Sequence, residues 1–289
     1  MQQIKEYIKL MRCKHYIKNF LVFLPLIFSF EFQNTTALLT AILGFICFCF
    51  VSSIVYILND TCDIEKDRKH PTKCHRPLAA GTISKKAAYI TMAILAVLVI
   101  GIQLLVKVNV AGIGILLLYL ILNIAYSKSL KHKPLIDVII LVSGFFLRVL
   151  FGAVIIGVEI SSWLYLTIIS FSFYLSLGKR RNEIEKNGAQ SRKVLQYYSK
   201  EFLDKNMYMC LALTIVFYAL WCVSPMSMEK FHTPYLIWTV PLVMIICMKY
   251  SLTVEGDSHA DPVEVLLSDK TLMALVVLYV LAMGVCILV

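Results

Sequence analysis

Asn59, Asp60, Asp63 and Asp67 open the segment NDTCDIEKDRKHPTKCHRPLAAGTIS, which carries a density of charge found almost nowhere else in this chain. Asn59, Asp63 and Asp67 are spaced by four, and Asp60 joins them at intervals of three and seven. On a helix that continues through the segment they share one stripe, with Glu65 off it. Like charges stacked on one face repel unless a cation lies between them. Hard oxygen donors of this kind suit Mg²⁺, which takes one or two carboxylates, keeps water and shares its remaining positions with substrate phosphates. Arg68, Lys73 and Arg76 follow, and they are of the types that grip phosphate, Arg bidentately and Lys as a point charge. The plain alternative is a solvated loop in which the acids pair with Lys66, Arg68, Lys69 and Lys73. The stripe and the run HPTKCHRPLAAG favour a metal–diphosphate site. A zinc site drawn from Cys62, His70, Cys74 and His75 matches no recurring ligand spacing.

The elements that must position these groups are membrane helices. The chain has 289 residues, 59% of them hydrophobic and 16% charged, with a mean hydropathy of +0.77, a composition that belongs to the membrane class. Apolar runs able to cross a hydrocarbon layer recur about nine times. They fall near residues 17–30, 37–58, 87–106, 110–127, 135–157, 163–178, 207–224, 233–250 and 271–289. Backbone groups must be satisfied within lipid, and continuous hydrophobicity argues against a barrel, so the expected fold class is an all-α polytopic bundle in one transmembrane domain over 1–289.

All but three of the 28 Lys and Arg residues, the exceptions being Lys107, Arg148 and Lys230, lie in the N-terminal tail or in even-numbered connections. The expected orientation therefore puts the N-terminus and the charged loops 59–86, 128–134, 179–206 and 251–269 on the cytoplasmic side of the cell membrane, with the C-terminus outside. The basic run before the first apolar segment resembles a signal peptide but lacks a small-x-small cleavage site, so it reads as a retained helix. The net charge of +10 is a basic skin at the membrane surface, and with no soluble module beside it nucleic-acid binding is a poor account. Six of the nine cysteines lie in apolar helices and pack as small hydrophobes; Cys13, Cys62 and Cys74 are expected as free thiols.

Arg148 sits well inside the fifth apolar run, where an unpaired cation costs at least ~2.5 kcal/mol, so it should face the bundle interior and contact a substrate phosphate or a structural partner. Asp137, near the start of the same run, is a candidate partner for ribose or for an arginine.

The NDxxDxxxD pattern is similar to the first aspartate-rich motif of the UbiA superfamily of intramembrane prenyltransferases. More specifically, five stretches resemble the decaprenyl-phosphate 5-phosphoribosyltransferase branch, of arabinan precursor synthesis: KHYIKNFLVFLPLIFS, the segment quoted above, YSKSLKHKPLIDVIILVSGFFLRVLFGAV, LGKRRNEI with RKVLQYY, and DPVEVLLSDKTL. They extend from Lys14 to Leu272. Two departures stand out. Where most of the superfamily carries a second aspartate-rich motif after the sixth helix, this chain has Gly178, Lys179, Arg180, Arg181, Asn182 and Glu183. Cys74 stands where that branch leads one to expect a basic residue.

The resemblance implies a nine-helix enzyme that moves the 5-phosphoribosyl group from phosphoribosyl diphosphate to a polyprenyl phosphate, dependent on Mg²⁺. The acceptor is already ionised, so the site has to supply positioning and charge neutralisation rather than a general base. Asp60 and Asp63, with Asn59 and Asp67 adjacent, are expected to hold Mg²⁺ on the donor diphosphate. Arg68, Lys73 and Arg76 are the local phosphate contacts. Lys179 and Arg180 are further phosphate candidates, and Glu183 could hold a ribose hydroxyl; without the resemblance, KRR reads as a stop-transfer cluster. Lys128 and Lys131 are open to the same two readings. Lys14, Lys18 and Asn19 open the first apolar run and could grip the lipid phosphate or serve topology. Tyr126 is more in keeping with an interfacial aromatic. Competing readings are a prenyltransferase acting on an isoprenoid diphosphate, a membrane carrier, and a non-catalytic scaffold. The absent second aspartate cluster weakens the first, and the carboxylate stripe followed by cations weakens the other two.

Overall fold

Six helices begin at a side chain that closes the first turn. The computed structural model describes residues 2–70, 72–188, 193–256 and 262–288, and every regular element among them is helical. Helix α1 (Gln2–Leu10) leads to a 3-10 stretch, Cys13–Phe23, then α2 (Leu24–Phe28) and α3 (Thr35–Cys62). Short α4 (Ile64–Arg68) precedes α5 (Lys85–Val106), α6 (Val110–Lys128) and α7 (Ile136–Ile156). The chain continues through α8 (Ser162–Asn187), α9 (Lys200–Cys222), α10 (Pro225–Phe231), α11 (Val240–Glu255), α12 (Pro262–Ser268) and α13 (Lys270–Leu288). Asn34, Ser84, Asn109, Ser161, Ser199 and Ser224 accept backbone N–H groups at the starts of α3, α5, α6, α8, α9 and α10. Their short side chains reach the otherwise orphaned donors of a first turn.

Among the described residues seven helices are long and apolar enough to cross a membrane: α3, α5, α6, α7, α9, the stretch Tyr235–Glu255 that includes α11, and α13. Two of the nine expected runs are not among these seven. The first is wound as the 3-10 stretch and the five-residue α2, after Arg12 leaves helical geometry at φ 53°. The sixth lies in α8, which has 26 residues but ends in the charged turns Lys179–Lys186. Ser170 and Ser172 of α8 donate back to the carbonyls of Leu166 and Ile168 at 2.7 and 2.6 Å, which keeps these hydroxyls satisfied in an apolar setting.

The chain divides into two compact units, Met1–Lys131 with Leu147–Val158, and His132–Phe146 with Glu159–Val289. In the first unit α3 is the spine, packed by α5, α6 and the 3-10 stretch. Its buried face is built largely from small residues, Ala37, Ala41, Gly44, Cys47, Cys49, Ser52 and Ser53. Small residues allow close helix approach, which in lipid must supply the packing energy that water-driven burial supplies elsewhere. Phe48, Val51, Val55, Leu116, Tyr119 and Phe151 complete this core. In the second unit α8 and α9 are the most extensively packed pair. Their core gathers Tyr174, Leu177, Leu203, Met207, Tyr250 and Val254, and the buried Tyr174 hydroxyl meets Ser251 Oγ at 2.6 Å.

Gly152 marks the tightest backbone approach in the first unit: a Cβ there would stand 2.2 Å from the Val22 carbonyl oxygen. Gly152→Ala should therefore destabilise the detergent-purified protein by roughly 1–3 kcal/mol through overpacking. Gly101→Ala, at a site with nothing within 4 Å, should leave thermal unfolding unchanged or raise it. Equal behaviour of the two variants would show that the contact is not tight.

Candidate functional site

The apolar run of α3 carries the helix to Cys62, so Asn59 and Asp60 occupy its last turn and Asp63 is the residue at which it breaks, at φ −105° and ψ 13°. Helix α4 then resumes, with the Asp67 N–H bonded to the Asp63 carbonyl at 2.8 Å. This break splits the expected stripe. Asp60, 3% exposed, and Asp67, 5% exposed, turn to one guanidinium nitrogen, Arg76 Nη1, which donates to Asp60 Oδ1 at 3.0 Å and to Asp67 Oδ2 at 2.7 Å. Asp63 turns instead to Lys131, whose Nζ is 3.1 Å from its Oδ2, and to Lys66 at 3.5 Å. Asn59 Oδ1 accepts from Ser127 Oγ. Glu65 points outward and pairs with Arg68 at 3.1 Å, while Arg68 Nε donates to the Ala79 carbonyl at 3.2 Å.

A second guanidinium reaches Asp60. Arg12 Nη2 donates to Asp60 Oδ1, and its guanidinium carbon lies 4.8 Å from the centroid of the Tyr56 ring, a cation–π arrangement. Deeper in the same unit, Arg148 is 5% exposed. Its Nε donates to Asn19 Oδ1 at 2.7 Å and its Nη2 to the Tyr119 hydroxyl at 3.1 Å. Its guanidinium also stands over the Phe48 and Tyr119 rings at 4.9 and 5.1 Å. Asn19 in turn donates to Ser52 Oγ and Cys49 Sγ, both at 3.2 Å. A cation that would be expensive in lipid is thus surrounded by an amide oxygen, a phenol and two π faces.

The second unit holds its own polar group. Arg180 and Asp137 are both fully buried and joined through Nε and Oδ2 at 2.7 Å, and Arg180 Nη1 bonds Glu183 Oε2 at 2.7 Å. The Tyr198 hydroxyl donates to Asp137 Oδ1 at 2.6 Å and accepts the Leu135 N–H at 2.6 Å. Burial, with the hydrogen bond to Asp137 next, pushes the Tyr198 phenol up to about 12, so it stays a donor at neutral pH. Leu135 is held at φ 64°, a conformation that a leucine rarely enters. Arg181 is paired with Asp204 at 2.6 Å and Glu185 at 2.9 Å. Beside this group an apolar groove of about 430 Å³ runs over α7, α8 and α9, lined by Leu135, Val138, Phe173, Leu177, Phe202 and Leu213 among others; its surface is matched to hydrocarbon.

Of the remaining candidates, Lys14 and Lys73 are exposed, and Lys18, Tyr126 and Lys179 are half-buried. Sequence reasoning leaves out Arg12, Tyr119, Ser127 and Tyr198. Arg12 belongs to a basic run for which topology is a sufficient reason, and Tyr198 to RKVLQYY, where nothing in the residue pattern ties it to Asp137.

Among the described residues no three His, Cys, Asp or Glu side chains are grouped to hold a metal ion. Mg²⁺ needs fewer, since one or two carboxylates suffice when water and phosphate complete the shell. Asp60 and Asp67 already place two carboxylates about one cationic nitrogen, so the donor set fits a hard divalent ion.

Fold and site together define an all-helical polytopic membrane protein in which carboxylates and arginines meet at one end of a spanning helix. Residues 20–273 match the UbiA prenyltransferase family, and the chain belongs to that family. It is 35% identical to the decaprenyl-phosphate phosphoribosyltransferase of Corynebacterium glutamicum over 94% of this chain and 84% of that protein. It is 30% identical to the protein of the same name from Mycolicibacterium smegmatis over 96% of this chain and 91% of that one. Its fold is similar to that of a UbiA homolog from Archaeoglobus fulgidus bound to GPP and Mg²⁺, with a TM-score of 0.70 and 20% identity over 98% of this chain and all of that one.

Arg76→Ala would leave two buried carboxylates without their shared cation. In chelator the variant should lose about 2 kcal/mol of stability, read as a lowered thermal midpoint, and millimolar Mg²⁺ or Mn²⁺ should recover much of the loss. An equal loss with and without divalent cation would mean that Asp60 and Asp67 do not take a metal.

Proposed function

We propose that this chain transfers the 5-phosphoribosyl group of phosphoribosyl diphosphate to a polyprenyl phosphate and releases diphosphate. The observation that carries this reading is its likeness to decaprenyl-phosphate phosphoribosyltransferases along more than nine-tenths of its length. In the reaction an oxygen of the lipid phosphate bonds to the anomeric carbon as the bond from that carbon to the diphosphate breaks, with inversion. The nucleophile is already an anion, so the protein's part is to orient two polyanions and to offset their charge.

Asp60, with Asp67 beside it at Arg76 and with Asp63 and Asn59 from the same turn, would hold Mg²⁺, which when bound would lower the charge on the leaving diphosphate. Arg76 and Arg68 supply forks that fit phosphate oxygens, and Lys131 a point charge on the Asp63 side. The distribution of lysine and arginine supports a cytoplasmic position for this cluster, with the N-terminus on the same side. That face also suits a soluble, charged donor. A prenyltransferase acting on an isoprenoid diphosphate is the second reading, and the observation that favours it is the fold shared with the Archaeoglobus fulgidus homolog bound to GPP and Mg²⁺. Lys179, Arg180 and Arg181, at the place of a second aspartate-rich motif, weigh against it.

Purified protein in detergent, given Mg²⁺, a polyprenyl phosphate and radiolabelled phosphoribosyl diphosphate, should move label into the organic phase, and chelation should abolish the transfer. No label, with turnover of a prenyl diphosphate and a small acceptor instead, would return the chain to the second reading. In the same assay Asp60→Ala and Asp63→Ala should each lose about 100-fold or more in turnover. Glu65→Ala, whose carboxylate is exposed and pairs with Arg68, should stay within about twofold of the parent. Equal loss at Glu65 would sink the assignment of these carboxylates.

A further inference from the structure

Asp60 Oδ1 has two guanidinium neighbours that are held in different ways. Arg76 bridges Asp60 and Asp67, at 3.0 and 2.7 Å, and belongs to the same loop as the acids. Arg12 comes from the N-terminal segment, 48 residues away in sequence. Its backbone is left-handed, with φ 53° and ψ 46°, a conformation that a non-glycine residue keeps only when its surroundings enforce it. The enforcement is visible in the helix that precedes it. Leu10 is fully buried against Ile57, Ile64, Leu78 and Ile83, and Glu6 accepts a hydrogen bond from Thr82 at 2.8 Å. Helix α1 is therefore tied down across the polar end of the unit, and the residue that follows its last turn is aimed at Asp60.

A guanidinium bonded to a carboxylate oxygen competes with a metal ion for that oxygen, and the fork that fits a carboxylate also fits a phosphate. Arg12 keeps a partly exposed side chain, 21% accessible, so it can exchange one anion for another without unpacking α1. We propose that Arg12 is an internal counter-ion of the acidic cluster: it neutralises Asp60 while no ligand is bound, and passes to the phosphate oxygens of a diphosphate when a divalent cation takes its place. The inference rests on the reading of the cluster as a metal–diphosphate site and is independent of which group the diphosphate carries.

The test is binding, with full-length protein in detergent and no lipid acceptor. Mn²⁺ alone, titrated by calorimetry or by its paramagnetic resonance, should bind Arg12→Gln about tenfold more tightly than the parent, because a competitor has been removed. Inorganic diphosphate, titrated in saturating Mn²⁺, should bind the same variant about tenfold more weakly. Arg12→Lys keeps the charge without the fork, so its Mn²⁺ affinity should stay near the parent while diphosphate binding falls part of the way. It also covers the case in which Arg12→Gln does not fold. Unchanged or weaker Mn²⁺ binding in Arg12→Gln, or in Arg12→Lys a diphosphate affinity equal to the parent's, would overturn the proposal. Opposite shifts for metal and diphosphate, together with no phosphoribosyl transfer in the labelling assay, would retain the counter-ion and discard the donor.

Discussion

One guanidinium nitrogen, Arg76 Nη1, holds Asp60 and Asp67 at once, and the polar end of the first unit is arranged around that contact. Carboxylates sunk this far from water are costly unless a cation is bonded to them. Arg76 and Arg12 together balance the two acids where a spanning helix ends. The turn at Asp63 then separates the remaining donors, sending Asp63 to Lys131 and Asn59 to Ser127. Each of the three aspartates has an oxygen paired with a cation of a type that also binds phosphate, so on the proposed reading an anionic ligand and a metal would enter by rearranging partners rather than by creating charge.

The second unit solves a related problem differently. Arg180 and Asp137 are wholly enclosed, and Tyr198 and Glu183 complete their hydrogen bonding. Isolated, such a pair contributes little net stability, because desolvation offsets the attraction. Its effect here is geometric: it fixes Tyr198 against the left-handed turn at Leu135 and holds the Glu183 carboxylate to the face of α8. Charge that the first unit keeps exchangeable is locked in the second.

Much of this could be read from residue order. Continuous apolar runs fix seven of the spans, and the persistence of α3 through Cys62 follows from the same run. For the two runs that are not among the seven, the cause is local. The run that begins near residue 17 follows the kink at Arg12 and holds Pro25, and α8 mixes hydroxyls and a charged end into its apolar length. For the site, spacing identified the four oxygen donors as a group but assumed an unbroken helix, whereas the break at Asp63 divides them. Arg12 and Tyr198 escaped because their partners lie 48 and 61 residues away. No local pattern encodes such distances, and each residue had a sufficient reason to exist where it stood.

The buried Arg148 also bears on how the protein is made. A helix carrying an unaccompanied cation enters a bilayer reluctantly. Asn19, Phe48 and Tyr119, three groups that meet this guanidinium, all precede it in the chain. A ribosome delivering the polypeptide from its N-terminus therefore makes these three partners before α7 emerges. The order of residues along the chain doubles as an order of assembly, in which the costly helix arrives last among its partners and finds its ligands waiting.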